Sequence, residues 1–430
     1  MTAGRYGAWA ACAVTGLAVF LCGLDHLVLL TALTAIRSDL GRGADAAAAG
    51  WFVNAYLVPV AVLPPLVSRF AVRVGQRRLF IAALLVFTAG SAAAACSATA
   101  GWLTTARALQ GTGAAAITPL SLTLVAAAVP AHRRPVLLGV WGALGGLAVA
   151  VGPLVGGAVV QWGGWQYVFW LNVPLGCLLA AAARVFLREP PRAPAAAPAT
   201  TGFRPMAGRS RGLPAVHACG FLMHAGVFGT VFWLAQFPQA VQGHSPWDAG
   251  LRILPWTAMP LVVAPLAGLL MGRTGARPVL VSGALLTAMS SGWFALLLDA
   301  RSPYAVQLPG LLAGGAGMAL FFAAAPEALL ANAPDRSVSA ASGVNSAVRE
   351  VGALAGVAAS TVLFTRVGST AGPAVFAHGL TAVLWAGAAT AVLALLAAVA
   401  IGPARTRTPA APPDGAVATE APVTARPAVL

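Results

Sequence analysis

Long apolar stretches alternate along this chain with short polar breaks. Crossing a bilayer as a helix takes about 20 mainly apolar residues, and twelve stretches reach that length. They run over 10–32, 51–71, 79–99, 102–127, 136–160, 166–187, 215–240, 250–272, 278–298, 304–330, 339–364 and 376–401. The pattern predicts an all-α polytopic membrane protein. The first stretch carries Asp25 and His26 and has no small-residue cleavage site, so it reads as a span and not as a removed leader.

Composition agrees with the pattern. Of the 430 residues 59% are hydrophobic and 9% are charged, against about 25% charged in an average soluble domain. No solvated globular surface can be built from this mixture, and a lipid bilayer is the expected surrounding. The net charge of +15 comes from 26 arginines and no lysine. They are dispersed over loops and form no compact basic domain, which argues against a nucleic-acid partner.

The arginines instead set orientation. With the N-terminus inside, nineteen fall in cytoplasmic segments, five outside and two (Arg107, Arg349) within spans, as the positive-inside rule requires. Both termini are therefore expected in the cytoplasm. The absence of lysine beside heavy Ala, Gly, Pro and Arg use suggests a GC-rich bacterial genome and hence a bacterial cytoplasmic membrane. The five cysteines lie in apolar stretches with no CxxC or histidine spacing; no metal, disulfide or cofactor is expected.

A Pro-, Ala- and Arg-rich break at 188–213 divides the chain six spans from six. The expected units are an N-terminal bundle (1–187), a cytoplasmic linker (188–213), a C-terminal bundle (214–402) and a disordered tail (403–430). Pro65, Leu66, Arg73, Gly75 and Arg77 recur at an offset of 200 as Pro265, Leu266, Arg273, Gly275 and Arg277, and Ala49-Gly50 as Ala249-Gly250. Parallel six-helix repeats are a transporter architecture, with a midplane site between two halves that rock about it.

The most specific motifs lie in the fourth and fifth spans. They read Leu103-x-x-x-Arg107-x-x-Gln110-Gly111-x-Gly113, then Gly152-Pro153-x-x-Gly156-Gly157. Leu24-Asp25, Trp51-x-x-x-Ala55-Tyr56, Trp165 to Pro174, Ser245-Pro246-x-x-Ala249-Gly250-Leu251, and Ser342, Gly343, Asn345, Arg349 and Gly352 add to them. In these motifs the chain resembles the drug:proton antiporters of the major facilitator superfamily, most closely the multidrug efflux branch that usually has fourteen helices. The resemblance implies two six-helix bundles related by a pseudo-two-fold axis along the membrane normal. It also implies a proton-transfer role for Arg107 and an antiport motif at Gly152, Pro153, Gly156 and Gly157.

Two departures stand out. The family's loop motif Gly-x-x-x-Asp-Arg-x-Gly-Arg-Arg appears as Ser68, Val72, Arg73, Gly75, Arg77 and Arg78, with Val72 where the acid belongs. The second copy, with Arg273 and Gly275, has Gly272 there, so neither copy is expected to form the carboxylate latch of the inward gate. The two extra central helices of the fourteen-helix branch are also missing.

Ionisable groups within spans cost a few kcal/mol and mark functional sites. The acids available are Asp25, Glu327 and Glu350, and they form the proton-coupling set with Arg107 and Arg349. At about 1.5 Å per residue, Asp25 and Arg107 both sit about 8–12 Å from the outer face and can pair. An aspartate facing an arginine stays ionised, and separating the two in low dielectric favours proton uptake. A static pair that only locks two helices is the alternative.

The substrate cavity is expected to draw on His26, Asn54, Tyr56, Gln110, His224, Trp233, Gln236 and Phe321, with Trp233, Trp256, Trp293 and Phe321 as an aromatic wall. No nucleotide-binding motif and no nucleophile with its base is present, which excludes ATP hydrolysis and membrane enzymes. The expected function is proton-coupled export of small hydrophobic or cationic compounds by a monomer, with a small-molecule substrate, protons and the lipid bilayer as partners. The alternatives are an exporter or importer of one endogenous metabolite, or a non-transporting membrane sensor or scaffold.

Overall fold

The computed structural model describes residues 2–41, 45–129, 134–190, 212–333 and 338–401. Most of the expected linker and all of the expected tail lie outside these. Among the described residues eleven helical segments are long and apolar enough to cross a membrane, or twelve when a bent pair is counted as one span.

The first half comprises α1 (Thr2–Leu40), the pair α2 (Ala46–Val62) and α3 (Pro64–Val74), α4 (Gln76–Ala95), α5 (Ala100–Ala128), α6 (Arg134–Gly163), and a span broken at Leu171 into α7 (Gln166–Trp170) and α8 (Asn172–Phe186). The second comprises α9 (Gly212–Leu234) with the short α10 (Phe237–Ala240), α11 (Pro246–Thr274), α12 (Ala276–Leu297), α13 (Tyr304–Asn332), α14 (Val338–Val367) and α15 (Pro373–Ala400).

Breaks and starts follow from local chemistry. The α2–α3 bend of 43° falls at Pro64-Pro65, where a proline nitrogen cannot donate to the turn before it. Helices α2, α5 and α11 start on Asp45, Thr99 and Ser245, whose side chains accept from the backbone N–H of Ala48, Trp102 and Asp248. The Ser245-Pro246 motif is thus a helix start, with proline at the first position where its missing donor costs nothing.

The repeat seen in the sequence is present in the packing. In the first half the first span packs on the fifth, the third on the fourth and sixth, and the second on the fourth; the same pairings recur six spans later. The halves meet through α6 with α11 and α2 with α14, which is the fifth span on the eighth and the second on the eleventh. Such exchanged pairings are what a pseudo-two-fold axis along the membrane normal produces.

The end of α8 and the start of α9 lie at one end of the bundle, here the linker end, and the contacts between halves gather toward the other, the far end. There α6 and α11 approach as closely as backbone allows. A Cβ on Gly157 would strike the Pro246 carbonyl, and one on Gly250 would come 2.5 Å from the Pro153 carbonyl oxygen. Trp162 and Trp247 meet with ring centroids 5.3 Å apart, and Gln239 Nε2 donates to the Thr31 carbonyl at 2.9 Å. Toward the linker end Gly142, Gly268 and Gly272 face open space.

Candidate functional site

Between the halves lies a central cavity of about 550 Å³, within the range of drug-sized sites. His26, Tyr56, Phe228, Trp256, Phe322 and Glu350 are among the residues lining it, and the remaining wall is largely aliphatic. The cavity is sealed by the far-end contacts.

Behind Tyr56, inside the first half, sits a closed polar cluster. Asp25 on α1 and Arg107 on α5 are both buried, and Arg107 Nη1 donates to Asp25 Oδ2 at 2.6 Å. Gln110, one turn after Arg107, accepts from the same nitrogen at 2.6 Å and donates through Nε2 to Asp25 Oδ1 at 2.8 Å. Asn172 at the start of α8 donates to Asp25 Oδ1 at 2.7 Å and to Ser91 Oγ on α4 at 3.0 Å. The carboxylate thus accepts three donors from three side chains.

Arg107 is held less completely. Its Nε donates to the Phe52 carbonyl at 3.2 Å, and its guanidinium carbon lies 4.4 Å from the Tyr56 ring centroid, close enough for a cation–π contact. Its Nη2 has no hydrogen-bond partner among the described residues. Small residues let the helices close on this cluster: a Cβ on Gly90 would lie 2.6 Å from the Gln110 nitrogen, and one on Gly111 would strike the Tyr56 carbonyl.

A second cluster occupies the other half. Arg349 Nε on α14 donates to His224 Nε2 on α9 at 2.9 Å, and His224 Nδ1 faces the Gly220 carbonyl at 2.8 Å. The Arg349 guanidinium carbon also sits 5.2 Å from the Phe322 ring centroid. His26 bridges the halves, with its ring 6.0 Å from Tyr56 and 5.6 Å from Phe228.

Of the residues expected in the cavity, His26 and Tyr56 line it. Gln110 is absorbed into the aspartate cluster, and His224 is engaged by Arg349. Phe321 stands behind, 6.0 Å from the His224 ring. Trp233 is no cavity wall: it is fully buried and stacks on Phe364 at 3.6 Å between ring centroids, with Phe376 alongside. Asn54 and Gln236 are buried outside the cavity lining. Glu327 is exposed near the linker end of α13, away from both clusters. Of the aromatic wall, Trp256 lines the cavity and Trp293 does not. Ser91 and Asn172 were not anticipated, although both are polar side chains within apolar spans.

Gly152 and Gly156 of the fifth-span motif face α1 at Leu27 and at Thr31 and Val28, while Gly157 and Pro153 face α11. The motif thus packs one helix on two neighbours at once, one in each half.

The loop motif departs from expectation. A carboxylate does reach the first copy, supplied from outside the motif: Glu189, just after α8, accepts from the backbone N–H of Gln76 at 2.5 Å and of Arg77 at 3.1 Å. It caps the first turn of α4, where the helix dipole favours an anion. Gly75 makes room for it at φ 101°. Arg77 donates to the Arg184 carbonyl at the end of α8, and its repeat Arg277 donates to the Val399 carbonyl at the end of α15 at 2.5 Å. Arg73, Arg78 and Arg273 are exposed. Glu189→Gln is expected to cost about 0.5 kcal/mol, since an exposed anion at a helix start is partly screened. Gly75→Ala should cost more because of its backbone angle. Thermal unfolding of the purified protein in detergent checks both.

Residues 15–357 match the Major Facilitator Superfamily along most of the chain. The chain belongs to the Major Facilitator Superfamily. It is a multi-pass membrane transporter, not an enzyme, and carries a small-molecule substrate. Among its relatives is a multidrug resistance protein, Stp, of Mycobacterium tuberculosis, 29% identical over 398 residues, covering 80% of this chain and 73% of the relative. A tetracenomycin C resistance and export protein of Streptomyces glaucescens is 29% identical over 415 residues, covering 84% and 77%. A methylenomycin A resistance protein of Streptomyces coelicolor is 27% identical over 369 residues, covering 73% and 77%. Among solved structures, a D-xylose–proton symporter superposes with a TM-score of 0.75 at 18% identity, covering 92% of this chain and 98% of that one. That likeness establishes the major facilitator fold and nothing about cargo.

Proposed function

We propose that this chain exports small hydrophobic and cationic compounds from a bacterial cell in exchange for protons, by alternating access of the central cavity. The observation that carries the reading is the buried Asp25–Arg107 pair beside an apolar cavity. A buried carboxylate balanced by one arginine has two stable conditions: ionised and paired, or separated and protonated. Rocking of the halves about the cavity is coupled, in this reading, to a shift of α1 against α5 within the first half, which selects between them. The relatives' names, which speak of resistance and export, support outward transport of foreign or toxic compounds.

The arginine distribution supports placing the linker end in the cytoplasm. The far-end seal then makes this the inward-facing state, with a monomer as the working unit. Cys96, exposed at the far end of α4, is expected to react with a membrane-impermeant maleimide added to intact cells; reaction only in everted vesicles would reverse the orientation. A pump for one compound is the second reading, favoured by relatives named for tetracenomycin C and methylenomycin A alone. A dye and antibiotic panel measured with and without a protonophore tests both. Efflux of several unrelated compounds that collapses with the proton gradient supports the first reading; gradient-independent efflux sinks it.

A further inference from the structure

The two membrane acids that flank the cavity stand in opposite situations. Asp25 is enclosed: it accepts three side-chain donors, does not line the cavity, and is screened from it by Tyr56 and His26. Glu350 lines the cavity wall. Among the described residues no arginine or histidine nitrogen comes within ion-pair distance of its carboxylate. Arg349 is its chain neighbour, but adjacent helical residues point about 100° apart, and the Arg349 side chain is directed to His224 and Phe322. Among the described residues no arginine lines the cavity. An acid on an apolar wall without a cationic partner is costly, and the cavity leaves its compensation to whatever enters.

We propose that the two acids divide the work: Asp25 takes the proton, and Glu350 takes the positive charge of the cargo, making the cavity selective for lipophilic monocations over neutral compounds of the same shape. This rests on the export reading above. Phe228, Phe232, Trp256 and Phe322 line the same cavity as Glu350 and offer aromatic surface suited to a flat or propeller-shaped cation whose charge is spread over rings.

The test compares tetraphenylphosphonium with neutral triphenylphosphine oxide, which presents similar rings without the charge. Binding of each is measured on the purified full chain in detergent, for the parent protein, Glu350→Gln and Glu350→Asp. The readout is the ratio of the two affinities. Glu350→Gln is expected to lower the ratio about tenfold or more, the size of a single charge contact away from bulk water, and Glu350→Asp should recover most of it. An equal fall for both ligands, or none, overturns the proposal.

A second measurement needs no variant. A hydrophobic carbodiimide should modify Glu350 in the parent protein, and tetraphenylphosphonium should slow that modification where the neutral oxide does not. Equal protection by both, or by neither, also overturns the proposal. If the parent protein binds the neutral ligand and not the cation, this inference fails while export stands. If it binds neither, the inference fails, and export is decided by the efflux panel.

Discussion

Asp25→Asn abolishes proton-driven efflux, reducing it to the level of cells lacking the transporter. Asparagine matches the shape of aspartate, so Gln110, Asn172 and Ser91 keep a polar neighbour, but the site can no longer exchange a proton. The substitution also leaves Arg107 buried without its counter-charge, and such a loss costs about 3–5 kcal/mol in stability. Lost transport could therefore be mistaken for lost folding. The double variant Asp25→Asn/Arg107→Gln separates the two, because it removes the orphaned charge as well. Its unfolding temperature in detergent should recover toward the parent value while its transport stays absent. If the single variant still pumps against a gradient, Asp25 is not the coupling acid. If the double variant regains transport along with stability, the pair is a structural lock only.

The second large effect concerns the far-end seal. Gly157→Val is expected to cut transport at least tenfold without unfolding the protein. A Cβ at this position meets the Pro246 carbonyl of the opposite half, and a backbone atom at a helix start cannot step aside as a flexible side chain would. Overpacking of this kind costs about 1–3 kcal/mol. It falls on the sealed state alone, so the balance between the two access states shifts by about ten- to a hundredfold. The shift is read as increased labelling of cysteines introduced beneath the seal. Gly268→Ala on α11 is the matched control: its added methyl meets nothing within 4 Å, and transport should be unchanged. Equal losses in the two variants would mean that helix bending, not closure, is what the glycines supply.

Much of the fold was legible because membrane helices obey a severe rule: each needs a long apolar run, and twelve such runs leave little freedom. The α2–α3 bend was less so, since a proline pair is compatible with a bend or with a straight span. The approach of Asp25 to Arg107 could be anticipated from depth alone, because charged side chains in lipid are few and must compensate one another. Asn172 and Ser91 escaped notice because uncharged polar residues in spans are common and carry no sign to match. Trp233 misled for a related reason, as an indole suits an aromatic stack against Phe364 as well as a ligand wall. Glu189 lies more than a hundred residues from the backbone it caps, and no local motif announces a contact of that span. The missing acid of the loop motif was plain to see; its replacement from the end of α8 was not.

The far-end closure is made of glycines against carbonyls, one amide and two indoles, and none of these groups changes charge over the physiological range. The ionisable side chains beside them are His244 and Asp248, two residues on either side of Pro246, and burial holds the His244 pKa below its ordinary value. External acidity therefore reaches the door through a histidine that resists protonation, and turnover should answer to the pH of the medium chiefly through events deeper in the protein.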